Sequence, residues 1–301
     1  NDSDAGVYLA KMNNYIMALK TYSIEFFYDA ANPTGSILSP VQNMTQHIGC
    51  ASGDSVQDMG GMIVWMGQSR NGFGRSIYSI NGPEPQKISD GQIEKILDAD
   101  DLAEVYSWSA KVGSHLLYGI TLVTSSITLV YDFSTGLWTF FTYLVSSGVN
   151  KTVSAITAAG VVTATSHGYS DGDIIKIAST NADFNGWHVA TDVTTNTFQI
   201  QADGAVFSGS GTATKHTESY FPVASSTSNG GKQYMQDISS GTLYEFDQDT
   251  YADYIGAIAT RVRTPQVDDG TTNHKPMSAI VLVGGKIDST ALVRHSDDAS
   301  A

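Results

Sequence analysis

The chain has 301 residues, with 30 acidic against 16 basic side chains and a formal net charge of −14. That length holds two ordinary domains, or one large β architecture carrying an insertion. The acidic balance excludes sequence-reading nucleic-acid binding, which needs Lys and Arg to displace counterions. The abundance of aromatic and β-branched residues excludes disorder, although only 15% of residues are charged.

Strand signals begin at residues 15–19 and 22–28 and stop at Asn32-Pro33-Thr34-Gly35. Residues 62–66 precede the Gly-rich turn Asn71-Gly72-Phe73-Gly74, and residues 76–80 end at Asn81-Gly82-Pro83. Alternation with turn residues at this density predicts hairpins. One short helix is predicted over residues 89–97, with Ser89 as N-cap and Gln92 as its capping-box partner.

Residues 116–131 and 133–150 carry no formal charge, which makes them the places to look for membrane spans. Each is broken by Ser, Thr and Gly, and Asp132 with the turn Ser134-Thr135-Gly136 separates them. A spanning helix wants about 20 mainly apolar residues. Paired strands are predicted instead, with no membrane partner.

The same turn provides an internal echo. Tyr131-Asp132-Phe133-Ser134-Thr135-Gly136-Leu137-Trp138 matches Gln236-Asp237-Ile238-Ser239-Ser240-Gly241-Thr242-Leu243-Tyr244, and Tyr28-Asp29 with Gly35 is a weaker copy. Gly supplies the positive φ, and Asp can bond the backbone of its own turn. Between the strong copies, residues 147–216 are rich in Thr, Ala and Gly and open and close with Ser/Gly clusters. Removing those ~70 residues leaves a spacing of ~35–40, near the blade length of a β-propeller. The expectation is an all-β chain: a propeller-like scaffold over 1–146, an inserted small β-barrel or sandwich module over 147–216, and a return to the scaffold over 217–301. The chain starts at Asn1 without a basic-then-apolar leader, and both ends read as cuts in a longer polypeptide.

No catalytic, cofactor-binding or metal-binding residue is predicted. His47, His115, His167, His188, His216, His274 and His295 lack metal-ligand spacing, and Cys50 has no second cysteine to pair with. His167 reads as a turn-packing residue, and Cys50 as a buried thiol. The acidic pairs Asp100-Asp101, Asp268-Asp269 and Asp297-Asp298 read as solvated loop carboxylates, because neighbours on a strand point to opposite faces. Arg261 and Arg263 share one strand face, exposed to solvent or to a neighbouring subunit. No nucleophile elbow, Walker loop or dinucleotide fingerprint is present.

Two stretches resemble known families. Ser23-Ile24-Glu25-Phe26-Phe27, Gly49-Cys50, Val64-Trp65-Met66-Gly67-Gln68, Ser76-Ile77-Tyr78, Gln86-Lys87-Ile88-Ser89 and Ile93-Glu94 resemble, in order and spacing, the tail hub or nozzle (packaged-DNA stabilisation) proteins of short-tailed bacteriophages. Gly113-Ser114-His115-Leu116-Leu117-Tyr118, Tyr131-Asp132 and Gly136-Leu137-Trp138 continue the pattern, which resumes over residues 244–263 and 294–298. Val162-Thr163-Ala164-Thr165-Ser166-His167-Gly168-Tyr169, Asn185-Gly186-Trp187 and Asn196-Thr197-Phe198 are similar to a small β module of phage structural proteins. That module is related to a catalytic-cysteine half-domain of ubiquitin-activating enzymes. It has no cysteine here, so no thioester chemistry carries over.

The hub resemblance implies a non-enzymatic virion protein of the phage tail. It implies a homo-oligomeric ring, a hexamer, below the portal and adaptor, with tail fibre or needle proteins as further partners. Genomic DNA would pass through the ring without sequence-specific binding. An alternative is a carbohydrate- or receptor-binding propeller using Trp65, Trp108, Trp138 or Trp187 to stack on sugars. A second alternative is a cell-surface adhesin fragment.

Overall fold

The computed structural model describes residues 4–32, 34–72, 74–201, 207, 209–247, 250, 252–253 and 256–257. Strands β1 (Gly6–Met12), β2 (Tyr15–Lys20), β3 (Ile24–Asp29) and β4 (Leu38–Pro40) form an antiparallel meander in that order. A second sheet joins β5 (Gly49–Cys50), β6 (Gln57–Asp58), β7 (Ile63–Gln68), β8 (Arg75–Ile80) and β9 (Gln86–Lys87), with β5 and β6 both on β7. Helix α1 (Gly91–Ala99) follows. The third meander is β10 (Val105–Val112), β11 (His115–Leu122), β12 (Ile127–Asp132) and the start of β13 (Leu137–Val153). The two uncharged runs are thus the paired strands β11, β12 and β13.

The chain then passes through β14 (Ala155–Ile156), β15 (Val161–Thr163), β16 (Ile174–Ser179), β17 (Gly186–Val189) and β18 (Thr197–Gln199). It returns along β19 (Gly211–Tyr220), antiparallel to the second part of β13. A last meander, β20 (Val223–Asn229), β21 (Lys232–Asp237) and β22 (Leu243–Phe246), completes the unit comprising residues 1–251. In the second unit, residues 252–301, the described residues form one pair, β23 (Ala252–Asp253) with β24 (Gly256–Ala257).

The four meanders pack face to face in chain order, which is how a propeller is built. Met17, Leu19, Ile24 and Phe26 of the first meet Cys50, Ile63, Trp65 and Ile80 of the second. Val64, Met66 and Ile77 of the second meet Ile93 and Leu97 of α1 and Tyr118, Ile120, Leu122 and Leu129 of the third. Trp108, Ala110 and Val130 on the other face of the third meet Val223 and Met235 of the fourth. Because β7 is covered on both faces, its residues 63–67 are all buried and read as a continuous apolar run. The expectation of an all-β, propeller-like scaffold is met.

A further hydrophobic cluster draws only on residues between Val153 and Ala213, with Phe184, Phe198, Ile175 and Ile177 at its centre. The sheet β14-β15-β18 and the strands β16 and β19 contribute to it from opposite sides. The arrangement is an open two-layer one, and no barrel closes among the described residues.

Three local expectations need correction. Asp90, not Ser89, is the N-cap of α1: its carboxylate accepts from the Gln92 and Ile93 amides, each at 2.9 Å. The Ser89 hydroxyl is used instead by the Ile77 amide at 3.0 Å and donates to Glu94 at 3.1 Å. Asp100 is not solvated; it is 3% exposed and accepts from Leu102 N, Ser125 N and Ser125 Oγ. Finally, the echoed turns do not sit at equivalent points of their sheets. Asp132 joins the third and fourth strands of its meander, whereas Asp237 joins the second and third described strands of its own.

Candidate functional site

The place where most sheets converge is the free edge of β10. A terminal strand presents unpaired amides and carbonyls, a template for further strands unless something occupies them. Here neighbouring sheets supply the partners. From β20, Ser226 Oγ accepts from the Ser109 amide at 3.1 Å and donates to the Ser109 carbonyl at 2.6 Å. Gln233 Nε2 of β21 donates to the same carbonyl at 3.2 Å. From the second sheet, Gln57 Nε2 donates to the Ser107 carbonyl at 2.9 Å, and Ser107 Oγ donates to the Asp54 carbonyl at 2.5 Å. The Tyr118 hydroxyl, fully buried, reaches across to the Ser55 carbonyl at 2.7 Å. This edge is therefore polar but uncharged, built from hydroxyls and amides that hold three sheets together. It contains no nucleophile paired with a base.

The echoed Asp turns are small electrostatic staples. At Asp132, Oδ1 accepts from Ser134 N at 2.8 Å, while Oδ2 accepts from Thr135 Oγ1 at 2.9 Å and meets His115 Nδ1 at 2.7 Å. At Asp237, Oδ1 accepts from the amides and hydroxyls of both Ser239 and Ser240. Partial burial pushes both carboxyls up. Their hydrogen bonds outweigh it and hold both below the usual carboxylate range. Gly136 and Gly241 follow at φ of 72° and 65°, a region open to Gly at little cost.

The remaining candidates are dispersed. His167 packs in its turn: Nδ1 accepts from Tyr169 N at 3.0 Å, which leaves Nε2 to face the Thr197 carbonyl at 3.3 Å. His188 Nε2 faces the Phe184 carbonyl at 3.0 Å, and burial pushes its pKa down. His216 lies edge-on to Trp187, with ring centroids 4.6 Å apart. His115 belongs to the Asp132 turn. Among the described residues, no group of three or more His, Cys, Asp or Glu is placed to hold a metal. Cys50 is buried, and burial pushes its thiol up to about 12. Trp65 and Trp108 are wholly buried, and Trp138 Nε1 donates to the Ile88 carbonyl at 2.9 Å. Trp187 carries the Lys176 ammonium 5.2 Å from its ring centre. Trp65 and Trp108 are thus closed to sugar stacking, whereas Trp138 and Trp187 are partly exposed. Arg261, Arg263, His274, His295, Asp268-Asp269 and Asp297-Asp298 lie outside the described residues. One recess at the end of the first sheet, lined by Tyr15 and Tyr28, was missed in the sequence, because only strand pairing brings those residues together.

Comparison with known proteins places this architecture. Residues 1–171 match the family model described as bacteriophage P22 Gp10, β-propeller, a phage stabilisation family. No curated protein matches the chain. Among solved structures, the phage phi92 endosialidase is similar at 12% identity and a TM-score of 0.18 over 83% of this chain. This chain spans 39% of that one. The matched segment covers the first three meanders and ends inside the segment that follows β13, so more than half of the chain is accounted for. This chain belongs to the phage stabilisation family of bacteriophage P22 Gp10, a β-propeller family.

Proposed function

We propose that this chain is a non-enzymatic structural component of a short-tailed phage tail, the hub or nozzle that forms part of the DNA ejection channel and retains the packaged genome. The observation that carries this reading is the family match over residues 1–171, laid on four meanders packed in chain order. The net charge of −14 suits it, because an acidic wall repels phosphate and lets DNA pass without sticking. An uncharged, hydrogen-bonded β10 edge suits it too, since it removes a surface that would otherwise recruit stray strands.

In this reading residues 147–216 are an inserted module that projects from the scaffold and meets another tail protein. Its support is a hydrophobic cluster confined to residues 153–213 and a connection that runs along the paired strands β13 and β19. The partners are further copies of the chain in a six-membered ring, an adaptor, and a tail fibre or needle. The test is to mix the purified protein with tails lacking it and image the particles. A ring on the tail axis is expected; a protein that stays monomeric and leaves the tails unchanged refutes the proposal.

A further inference from the structure

We infer that the recess at the end of the first sheet is a binding site for a neutral saccharide. Asn14, Tyr15, Tyr28, Asp29 and Val41 line an open recess of about 440 Å³, large enough in volume for a small molecule that stays partly in solvent. Asn14 lies in the β1–β2 turn, Tyr15 opens β2, and Tyr28 and Asp29 close β3. The pairing of Ile16 with Phe27 sets Tyr15 and Tyr28 side by side at the open end of the ladder. Val41, held by its amide to the Phe26 carbonyl at 2.7 Å, provides the apolar wall.

Among the described residues, most of the polar groups here are left without a protein partner. Asn14, Tyr15 and Tyr28 make no side-chain hydrogen bond among the described residues, and Tyr28 is 42% exposed. Asp29 uses Oδ1 for its own turn, accepting from Ala31 N at 2.8 Å, and Oδ2 has no partner among the described residues. At Asp132, by contrast, both oxygens are engaged. Two tyrosines, an asparagine and an aspartate thus line one recess, with Tyr15 and Val41 also resting on the core between the first two sheets.

This set matches a pyranose. Its C–H face packs on an aromatic ring, and its vicinal hydroxyls both donate and accept. Asp29 accepts a hydrogen bond from a sugar hydroxyl, a charge-assisted bond stronger than a neutral one. The carboxylate and the acidic chain disfavour uronic and sialic acids. A quaternary ammonium would use the rings and the charge but leave Asn14 and both hydroxyls unsatisfied, so the saccharide is the better fit.

The test is saturation-transfer NMR and calorimetry on the 301-residue chain. The probes are D-galactose, D-glucose, N-acetyl-D-glucosamine and lactose, with D-glucuronic acid and tetramethylammonium as contrasts. At least one neutral sugar is expected to bind with a dissociation constant on the order of 1 mM. Tyr28→Ala and Asp29→Asn should each weaken it at least tenfold. The amide oxygen introduced by Asp29→Asn can still accept from Ala31 N, so that variant should melt where the parent does, while Tyr28→Ala, which also removes a partly covered ring, should melt somewhat lower and still fold. The inference is overturned if no neutral sugar gives a saturable signal, if both variants bind as the parent does, or if tetramethylammonium binds and the sugars do not.

Discussion

Gly119→Ala should be among the most damaging single-methyl changes available in this chain. Gly119 lies directly opposite Trp108 in the β10–β11 ladder. A Cβ built on it would stand 2.1 Å from Trp108 Cε2 and 2.3 Å from Cζ2. Carbon atoms rest about 3.5–4.0 Å apart, so the indole must retreat by more than an ångström. It has nowhere to go: Trp108 is fully buried, with Phe141 at 5.9 Å and Phe221 at 6.0 Å between ring centroids. Those two rings also pack on each other at 5.7 Å. Its Nε1 has no hydrogen-bond partner among the described residues, so packing alone sets its place. Overpacking costs about 1–3 kcal/mol and an off-rotamer ring a further 0.5–1.5 kcal/mol or so. A loss of about 3 kcal/mol follows, or roughly 6–12 °C in melting temperature at about 2–4 °C per kcal/mol. Calorimetry or Trp fluorescence against temperature reads this directly. Gly91→Ala is the control: it opens α1, and nothing stands within 4 Å of its added methyl. That variant should melt at or slightly above the parent, since Ala favours a helix over Gly by up to about 1 kcal/mol. A Gly119→Ala protein melting within about 2 °C of the parent would refute the claim that the Gly–Trp contact is rigid.

Asp90→Ala should cost about 1 kcal/mol through the lost cap, and Asp90→Ser much less, by thermal denaturation; equal losses would remove Asp90 as the cap. The Asp237 carboxyl is held low in the folded chain, so its contribution is present above the unfolded value near 3.9 and disappears as pH falls through the folded one. Asp237→Asn should therefore melt below the parent at pH 7, and the gap should close below about pH 4; a gap independent of pH would contradict this. Cys50, with its thiol pushed up to about 12 by burial, should resist aromatic disulfide reagents at pH 8 in the native chain and react once in denaturant. Stoichiometric labelling of the native protein within minutes would show that the site is open.

Much of the scaffold was legible because its signals are local. Gly and Asn at positive φ mark the hairpins, as at Asn13, Gly72, Gly136 and Gly241, and alternation between them marks the strands. The same locality explains the misreadings. The Asp-x-Ser/Thr-x-Gly echo reports an Asp accepting from its own turn, which any hairpin can use, so it identifies a turn without fixing its place in a blade. Ser89 and Asp90 are both good capping residues. The choice between them is made by Ile77, a strand away, whose amide takes the Ser89 hydroxyl. Asp100 looked like a solvated loop acid because nothing nearby in sequence announces that the Ser125 turn folds onto it. The recess between Tyr15 and Tyr28 was invisible for a related reason: it exists only once β2 and β3 pair in one register.

The position of the segment after β13 follows from what each strand of a meander has to do. The inner strands of the second and third sheets are packed on both faces or capped by neighbours, so an added length of chain there would expose buried area or unpair capped amides. β13 is different: Leu137, Phe140, Val145 and Val149 stand 63%, 57%, 44% and 54% exposed. It carries the irregularity between Ser146 and Asn150 that shifts its register with β19. A bulge bends and twists a strand without ending it. Beyond that point the pairing of Val153 with Gly211 brings the two ends of the intervening chain side by side. Fixing those ends costs only loop-closure entropy, which grows slowly with length. The cluster around Phe184 and Phe198 then offsets that cost from within. A strand with exposed faces and a bulge is therefore where the paired ends of the segment between Val153 and Gly211 can join the scaffold while its inter-sheet cores stay untouched.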